Sequence, residues 1–288
     1  MASKFYIGCV AYNNAKDVLR LAQSLAQHVG LTEKWCYLLL DHSDDLTEKE
    51  QLRDICLEYK WRYLSQPNRG FGAGVNALAK ALCRSDMLLI CNGDLVLRHP
   101  PPFQNMFAAL VELEYDMIGT SIADGTGKPS SGRLPPFGWQ IVGFDFNASP
   151  SSMERNQNLT GVYDWHGAVH GACFAFEVGR FLDSGGVDEN LFLYGEEFDL
   201  QIKFQKKGFR IGFVPSTSLL HASEHVTNQP RNLMNLYNLR YLALREQSYL
   251  LSLYFTIKMG YEIISSKRFD LCCVLLKTNV NRRVFLNN

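Results

Sequence analysis

Acidic residues recur in this chain where they could hold a cation or accept a proton. Asp41, Asp44 and Asp45 stand in Asp41-His-Ser-Asp-Asp45, directly after the apolar run Trp35–Leu40. Asn92-Gly93-Asp94 follows a second apolar run, Met87–Cys91. Further on come Glu196, Glu197 and Asp199 in Tyr194-Gly-Glu-Glu-Phe-Asp199, and then His221 at the end of Ser218-Leu-Leu-His221. A carboxylate with an imidazole is a ligand set for a divalent cation. A second carboxylate on the same side as Asp94 would be placed to take up a proton. Each fragment also has a purely structural reading. Asp41–Asp45 would serve as a turn and helix N-cap, and Asn92–Asp94 as an ordinary turn. Glu196 and Glu197 fit the first turn of a helix, where the dipole favours carboxylates, and His221 fits a satisfied structural histidine.

A glycine loop lies between the first two acidic groups: Asn68-Arg-Gly-Phe-Gly-Ala-Gly-Val-Asn76. Glycines let backbone approach a ligand closely. A dinucleotide fingerprint would follow the first strand. That strand instead ends Ala11-Tyr-Asn-Asn14, without glycine, which argues against a nicotinamide site.

Apolar periodicity predicts the elements that must carry these groups. Phe5–Ala11, Trp35–Leu40, Trp61–Leu64 and Met87–Cys91 read as strands. Ala15–His28, Thr47–Tyr59 and Val75–Cys83 read as the helices between them, the first with Val18, Leu19, Leu21, Ala22, Leu25 and Ala26 at a helical period. Repeated β-α-β units predict a parallel sheet flanked by helices. All three polar groups would then share the carboxyl rim, where such sheets bind ligands. Residues 122–165 are rich in Gly, Pro, Ser and Asn and lack periodicity, which fits a long functional loop. Strands at Gly171–Glu177 and Arg210–Val214 flank a helix at Glu196–Lys207, and a helical pattern runs from Arg231 to about Ser265.

Composition narrows the classes. The 288 residues carry 29 basic and 29 acidic side chains, so nothing favours nucleic acid as a partner. The eight cysteines include no C-x-x-C pair, and several sit inside apolar runs. Buried free thiols in a reducing, cytoplasmic compartment are expected. No apolar run reaches the ~20 residues of a membrane span. Tyr249–Ile257 is strongly apolar and is followed by Lys258, Lys267, Arg268, Arg282 and Arg283. That pattern suits peripheral binding to an anionic membrane. It suits equally a helix pair packed on the catalytic domain or on a second subunit.

Taken in order, the motifs resemble glycosyltransferase family 2 in its rhamnosyltransferase-like branch. Val10-Ala-Tyr-Asn13 is similar to the family's opening strand and turn, and Asp41-His-Ser-Asp-Asp45 to its D-N-x-S-x-D base-binding turn, with His42 where Asn is usual. Leu88-Leu-Ile-Cys-Asn-Gly-Asp94 resembles L-L-N-P-D, the variant of the D-x-D metal motif. Gly171-Ala172, Gly185-Gly-Val-Asp-Glu189 and Phe192-Leu-Tyr-Gly-Glu-Glu-Phe-Asp-Leu200 match G-A, G-G-F-D-E and F-x-Y-x-E-D-x-D-L. Two departures touch the chemistry: Asn92 replaces the first Asp of D-x-D, and Glu197 stands where the catalytic base is normally Asp.

The resemblance implies an α/β GT-A fold, with a mostly parallel nucleotide-binding sheet flanked by helices and a C-terminal helical extension. Residues 1–225 would be the catalytic domain, 1–98 its nucleotide-sugar half and 99–225 its acceptor half, with 226–288 the extension. It implies an inverting, metal-dependent transferase that moves sugar from a UDP- or dTDP-linked donor, dTDP-rhamnose among the candidates. The acceptor would be a hydroxyl of a saccharide or lipid-linked saccharide, as in polysaccharide biosynthesis. Glu197 would be the base. Tyr12, Asn13, Asp41, Asn68, Arg69, Gly70, Asn92 and Asp94 would bind the donor. Trp165, His166, His170 and Glu196, with Trp139, would contact acceptor or sugar. Asp94 and His221 would hold Mg²⁺ or Mn²⁺. An inactive sugar-nucleotide-binding homologue and a nucleotidyltransferase are the alternatives. The latter needs a basic, Gly-rich loop for a triphosphate, which residues 8–16 lack.

Overall fold

The structure, a computed structural model, describes residues 4–29, 35–98, 101–123, 129–130, 161–165, 169–216, 218–221 and 229–275. Four strands open the fold: β1 (Phe5–Ala11), β2 (Trp35–Asp41), β3 (Arg62–Ser65) and β4 (Met87–Cys91). They lie parallel in the order β3-β2-β1-β4. The connecting helices are α1 (Ala15–His28), α2 (Leu46–Glu58) and α3 (Phe71–Lys80). Helix α1 turns Val18, Leu21, Ala22 and Leu25 into the core, spacings that share one helical face. All five residues of β4 are buried, as expected for a strand covered on both sides. Asp45 caps α2 by accepting the Glu48 N–H at 3.0 Å.

Helix α3 starts four residues before its expected beginning and runs through the glycine loop, against the low helix propensity of glycine. Close packing explains this. A Cβ on Gly72 would lie 2.4 Å from Val187, and one on Gly74 2.7 Å from Val10. Gly70, at φ +101°, turns the chain into the helix, and a Cβ there would sit 2.2 Å from the Phe192 carbonyl oxygen.

The sheet continues with β10 (Cys173–Glu177), antiparallel to both β4 and β6 (Met117–Thr120). Then come β11 (Ile211–Val214), parallel to β6, and β9 (Tyr163–Asp164) at the edge. A small second sheet has the order β5 (Leu95–Leu97), β12 (Leu219–His221), β7 (Ile122–Ala123), β8 (Pro129–Ser130). Helices α4 (Phe103–Glu112), α5 (Val178–Asp183) and α6 (Glu196–Lys206) complete the sheet-bearing part. Cys9, Cys56, Cys91 and Cys173 are buried thiols, whereas Cys83 and Cys272 are exposed.

The expected C-terminal helical stretch is two helices, α7 (Gln229–Arg245) and α8 (Tyr249–Ser265), with a 3₁₀ turn at Phe269–Leu275. Gln247 breaks them apart in the left-handed region, at φ 59°. The Ser248 N–H donates to Ala243 O and the Gln247 N–H to Leu244 O, which is a Schellman cap. Among the described residues no helix is long and apolar enough to cross a membrane.

Candidate active site

Parallel register brings the first motif residues to one rim. Ala11 pairs with Asp41, and Asp41 with Ser65. Asp41 is wholly buried and occupied within the protein. One carboxylate oxygen accepts the Ser43 N–H at 2.7 Å and the other the Tyr63 hydroxyl at 2.6 Å. The open part of this rim is formed instead by Tyr12, Asn13 and Asp44. The Tyr12 hydroxyl donates to Asp44 at 3.1 Å and the Asn13 amide to Asp44 at 2.6 Å. Those bonds, Asn13 first, lower the Asp44 pKa. Asn13 adopts φ 47°, and its backbone N–H donates to Ser43 Oγ at 2.9 Å. His42 is buried beside Gln66, 2.9 Å from its amide nitrogen, and burial lowers its pKa despite the charge of Asp41.

In the glycine loop, Asn68 Oδ1 accepts the Gly70 N–H at 2.9 Å. Arg69 is two-thirds exposed and pairs with Glu189 at 2.6 Å. Phe71 donates its N–H to Phe192 O at 3.0 Å, which ties this loop to the segment preceding α6.

Asn92, Gly93 and Asp94 form the turn between β4 and β5. Gly93 is closely packed: a Cβ there would lie 3.0 Å from the Asn14 amide and 3.1 Å from Val18. Strand β12 pairs antiparallel with β5, His221 opposite Leu95. That register sets His221 Nε2 3.3 Å from Asp94 Oδ1, both side chains being mostly buried. Two donors on one six-coordinate divalent ion stand about 3 Å apart, so the pair fits adjacent positions on Mg²⁺ or Mn²⁺. Among the described residues no cluster of three metal-binding side chains occurs. The other coordination positions would fall to donor oxygens and water, as is usual for Mg²⁺.

The turn His170-Gly171-Ala172 joins this pair to the glutamates. The His170 and His221 rings lie 6.0 Å apart. The Asn92 N–H donates to Ala172 O at 2.9 Å. A Cβ on Gly171 would lie 3.8 Å from Glu197 Oε2. Glu197 is half-buried, whereas its neighbour Glu196 is 6% exposed. The two diverge: Glu196 Cγ packs under the glycine loop, 3.4 Å from a Cβ built on Gly72. Burial, then the charge of Glu197, pushes the Glu196 carboxyl up to about 8. Its Oε1 has no hydrogen-bond partner among the described residues.

The glycosyl transferase family 2 model matches residues 6–177, more than half of the chain. The chain belongs to glycosyl transferase family 2. Rhamnosyltransferase WbbL of Escherichia coli K12 is 23% identical over 233 residues, covering 76% of this chain and 84% of WbbL. Among solved structures, mannosyltransferase PcManGT from Pyrobaculum calidifontis, in complex with GDP-Man and Mn²⁺, superposes with TM-score 0.60 at 11% identity, covering 99% of this chain and 79% of that one. S. aureus TarS gives TM-score 0.53 at 16% identity; the match takes in 84% of this chain but only 39% of TarS. The protein is a glycosyltransferase with the GT-A fold.

Within this family 2 enzyme the expected sugar contacts fall in different places. His166 and Trp139 lie outside the described residues. Trp165 is 3% exposed and stacks on Phe213, centroids 4.6 Å apart, as part of the core. It therefore presents no open ring face to a sugar. His170 stays beside the Asp94–His221 pair, its Nδ1 accepting the Ala172 N–H at 3.1 Å. Sequence reasoning missed Tyr63 and Asn238. Tyr63 gives no motif signal. Asn238 lies on α7, beyond the family match.

Proposed function

We propose that the protein is an inverting transferase that moves a hexosyl group from a UDP- or dTDP-sugar to a hydroxyl of a saccharide or lipid-linked saccharide. The observation that carries this reading is the turn His170–Ala172, which touches the Asp94–His221 pair, the Asn92–Asp94 turn and Glu197 together. Proton acceptor and cation ligands therefore share one wall. Similarity to a rhamnosyltransferase favours dTDP-rhamnose among the donors, and a structural relative in complex with Mn²⁺ supports the cation.

In this reading Tyr12 and Asn13 border the nucleoside, while Asp41 shapes their turn through Ser43 and Tyr63. Asn68, Arg69 and Gly70 flank the diphosphate, Arg69 exchanging Glu189 for phosphate. Asn92 steadies the β4–β5 turn through Ala172. Asp94 and His221 would hold Mg²⁺ or Mn²⁺, which when bound offsets charge on the leaving diphosphate. Glu197 takes the proton from the acceptor hydroxyl as its oxygen attacks the anomeric carbon opposite the leaving group, so the centre inverts in one displacement. Glu196, buried beneath the glycine loop and held largely protonated, supports that loop rather than a sugar.

A panel of UDP-, dTDP- and GDP-sugars with oligosaccharide acceptors tests this. The expected outcome is nucleoside diphosphate release with an inverted anomer, abolished by chelator and restored by Mn²⁺. Release of pyrophosphate, a retained anomer or full activity in excess chelator each contradicts it. Glu197→Gln should lose about 10²–10⁴ in turnover, the range for a general base, while still binding UDP or dTDP. A variant with near-normal turnover would move the base elsewhere.

A second observation favours action at a lipid surface. Helix α8 exposes Tyr249, Leu250, Leu253, Ile257, Tyr261 and Ile264, six large apolar side chains on one face. None of its exposed residues is acidic, and Lys258 stands at the border of that face.

A further inference from the structure

Helix α7 holds the segment from which the two glutamates emerge, and it lies outside the family match, which ends at residue 177. Tyr194 and Gly195, the two residues before Glu196, both take left-handed conformations, at φ 72° and 92°. For tyrosine this is an unfavourable backbone state that neighbouring structure must impose. The imposing contact is visible. Asn238, fully buried on α7, donates from its single amide nitrogen to Leu193 O at 2.8 Å and Tyr194 O at 2.9 Å. Both hydrogens of that amide are thereby engaged. Next to it, Gly195 faces Asn238 Cβ and Leu242 Cδ1, each 3.6 Å from where its own Cβ would lie.

The same helix grips the ends of the segment. The Tyr241 hydroxyl donates to Asp188 at 2.7 Å. Arg245 pairs with the wholly buried Asp199, which also takes Lys203 Nζ at 2.9 Å and the Asp188 N–H at 2.6 Å. Asn238, Tyr241 and Arg245 are three and four residues apart, on one side of α7. Residues 188, 193–194 and 199 are thus fixed to one rigid helix, with Glu197 between the last two anchors.

We propose that Asn238 is a positioning residue: its carboxamide locks Leu193–Gly195 in the left-handed reversal that aims Glu197 across Gly171 at the acceptor. The inference rests on the assignment of Glu197 as base, but the backbone lock can be measured without it. Asn238→Asp keeps the shape of the side chain and replaces both N–H donors with an acceptor. Gly195→Ala attacks the same reversal from the loop side. There is room for the added methyl, so its effect is confined to the left-handed backbone.

The test uses the full chain. Amide hydrogen exchange is followed in 192–199 and, as an internal reference, in 87–91. Melting temperature and binding of UDP with Mn²⁺ are measured alongside. Turnover is followed with the donor found in the panel. Both variants should exchange faster in 192–199 and normally in 87–91. Turnover should fall roughly 10–100-fold, the scale of a misplaced catalytic group, while acceptor KM and UDP binding stay within about threefold. Unchanged exchange in 192–199 in both variants overturns the proposal. So does faster exchange that extends equally to 87–91, or a loss that falls on KM alone. If Asn238→Asp does not fold, Gly195→Ala decides by the same criteria. Should no donor support turnover even in the wild type, the assigned reaction fails while the exchange comparison still judges the lock.

Discussion

Glu196 and Glu197 show how neighbouring residues of one type acquire different chemistry. Adjacent positions at a helix start point in different directions, so Glu197 reaches the half-open wall at Gly171 while Glu196 packs beneath Gly72. Burial, then the charge of Glu197, pushes the Glu196 carboxyl up to about 8. This has a thermodynamic consequence. Between the ordinary carboxylate value and about pH 8, the folded protein keeps a proton that the unfolded chain has released. The stability this provides is fully present below the ordinary value and is lost as pH rises through that window. Glu196→Gln has no proton to lose. Its melting temperature should therefore decline less than that of the wild type between about pH 5 and pH 9, and should be the higher of the two at the alkaline end. Each kcal/mol relieved corresponds to about 2–4 °C in a domain of this size. Parallel melting-temperature curves for the two proteins would show that Glu196 ionises normally. The sequence shows the glutamate pair and the helix start; it does not show Gly72, some 120 positions away, closing over one of them.

At the scale of elements, legibility followed contact range. The strands β1, β2 and β4 announce themselves as apolar runs of strand length, and α1 by its buried stripe, because those patterns arise within a few residues. The positions of Asp94 and His221 were readable for the same reason: each ends or follows a short strand. Three features resisted. Helix α3 runs through glycines because β1 and the Val187 segment need the space. Trp165 went to the core because its stacking partner Phe213 lies 48 positions away, on a neighbouring strand. The break between α7 and α8 carries no glycine or proline, since Gln247 itself takes the left-handed cap position. A non-glycine residue in this conformation costs roughly 1–2 kcal/mol, which glycine avoids. Gln247→Gly should raise the melting temperature by about 2–4 °C or more, with the α7–α8 angle and activity unchanged. A lowered melting temperature would mean that the Gln247 side chain stabilises the joint by contacts that outweigh the backbone cost.

Across the whole molecule, the catalytic sheet and the C-terminal helices meet through α7, which packs Leu239, Leu242 and Ala243 against Leu191, Phe198 and Ile202. Helix α8 is apolar on two sides. Leu251, Phe255, Met259 and Ile263 face inward, and Tyr249, Leu250, Leu253, Ile257, Tyr261 and Ile264 face outward. A helix apolar all round is ordinarily covered on every side, and monomeric soluble proteins seldom leave contiguous apolar patches beyond a few hundred Å². Charge separates the two ways of covering this face. In a symmetric pair of antiparallel α8 helices, Lys258 would approach its own copy near the helix centre, and the one acid of α8, Glu262, is half-buried away from the exposed apolar face. On an anionic bilayer the same lysine, with Lys267 beyond the helix end, meets complementary charge. The three tyrosines Tyr249, Tyr254 and Tyr261 suit the headgroup level, where ring and hydroxyl meet different media. The full chain should therefore float with liposomes containing phosphatidylglycerol and remain below with phosphatidylcholine alone. Ile257→Glu, which places a charge in the middle of the exposed face, should abolish flotation while leaving UDP binding intact. Raised salt should weaken flotation without abolishing it, because apolar burial persists when charge is screened. If the wild type fails to float with either lipid and elutes as a dimer that Ile257→Glu converts to a monomer, the face belongs to a second copy of the chain and the lipid reading fails.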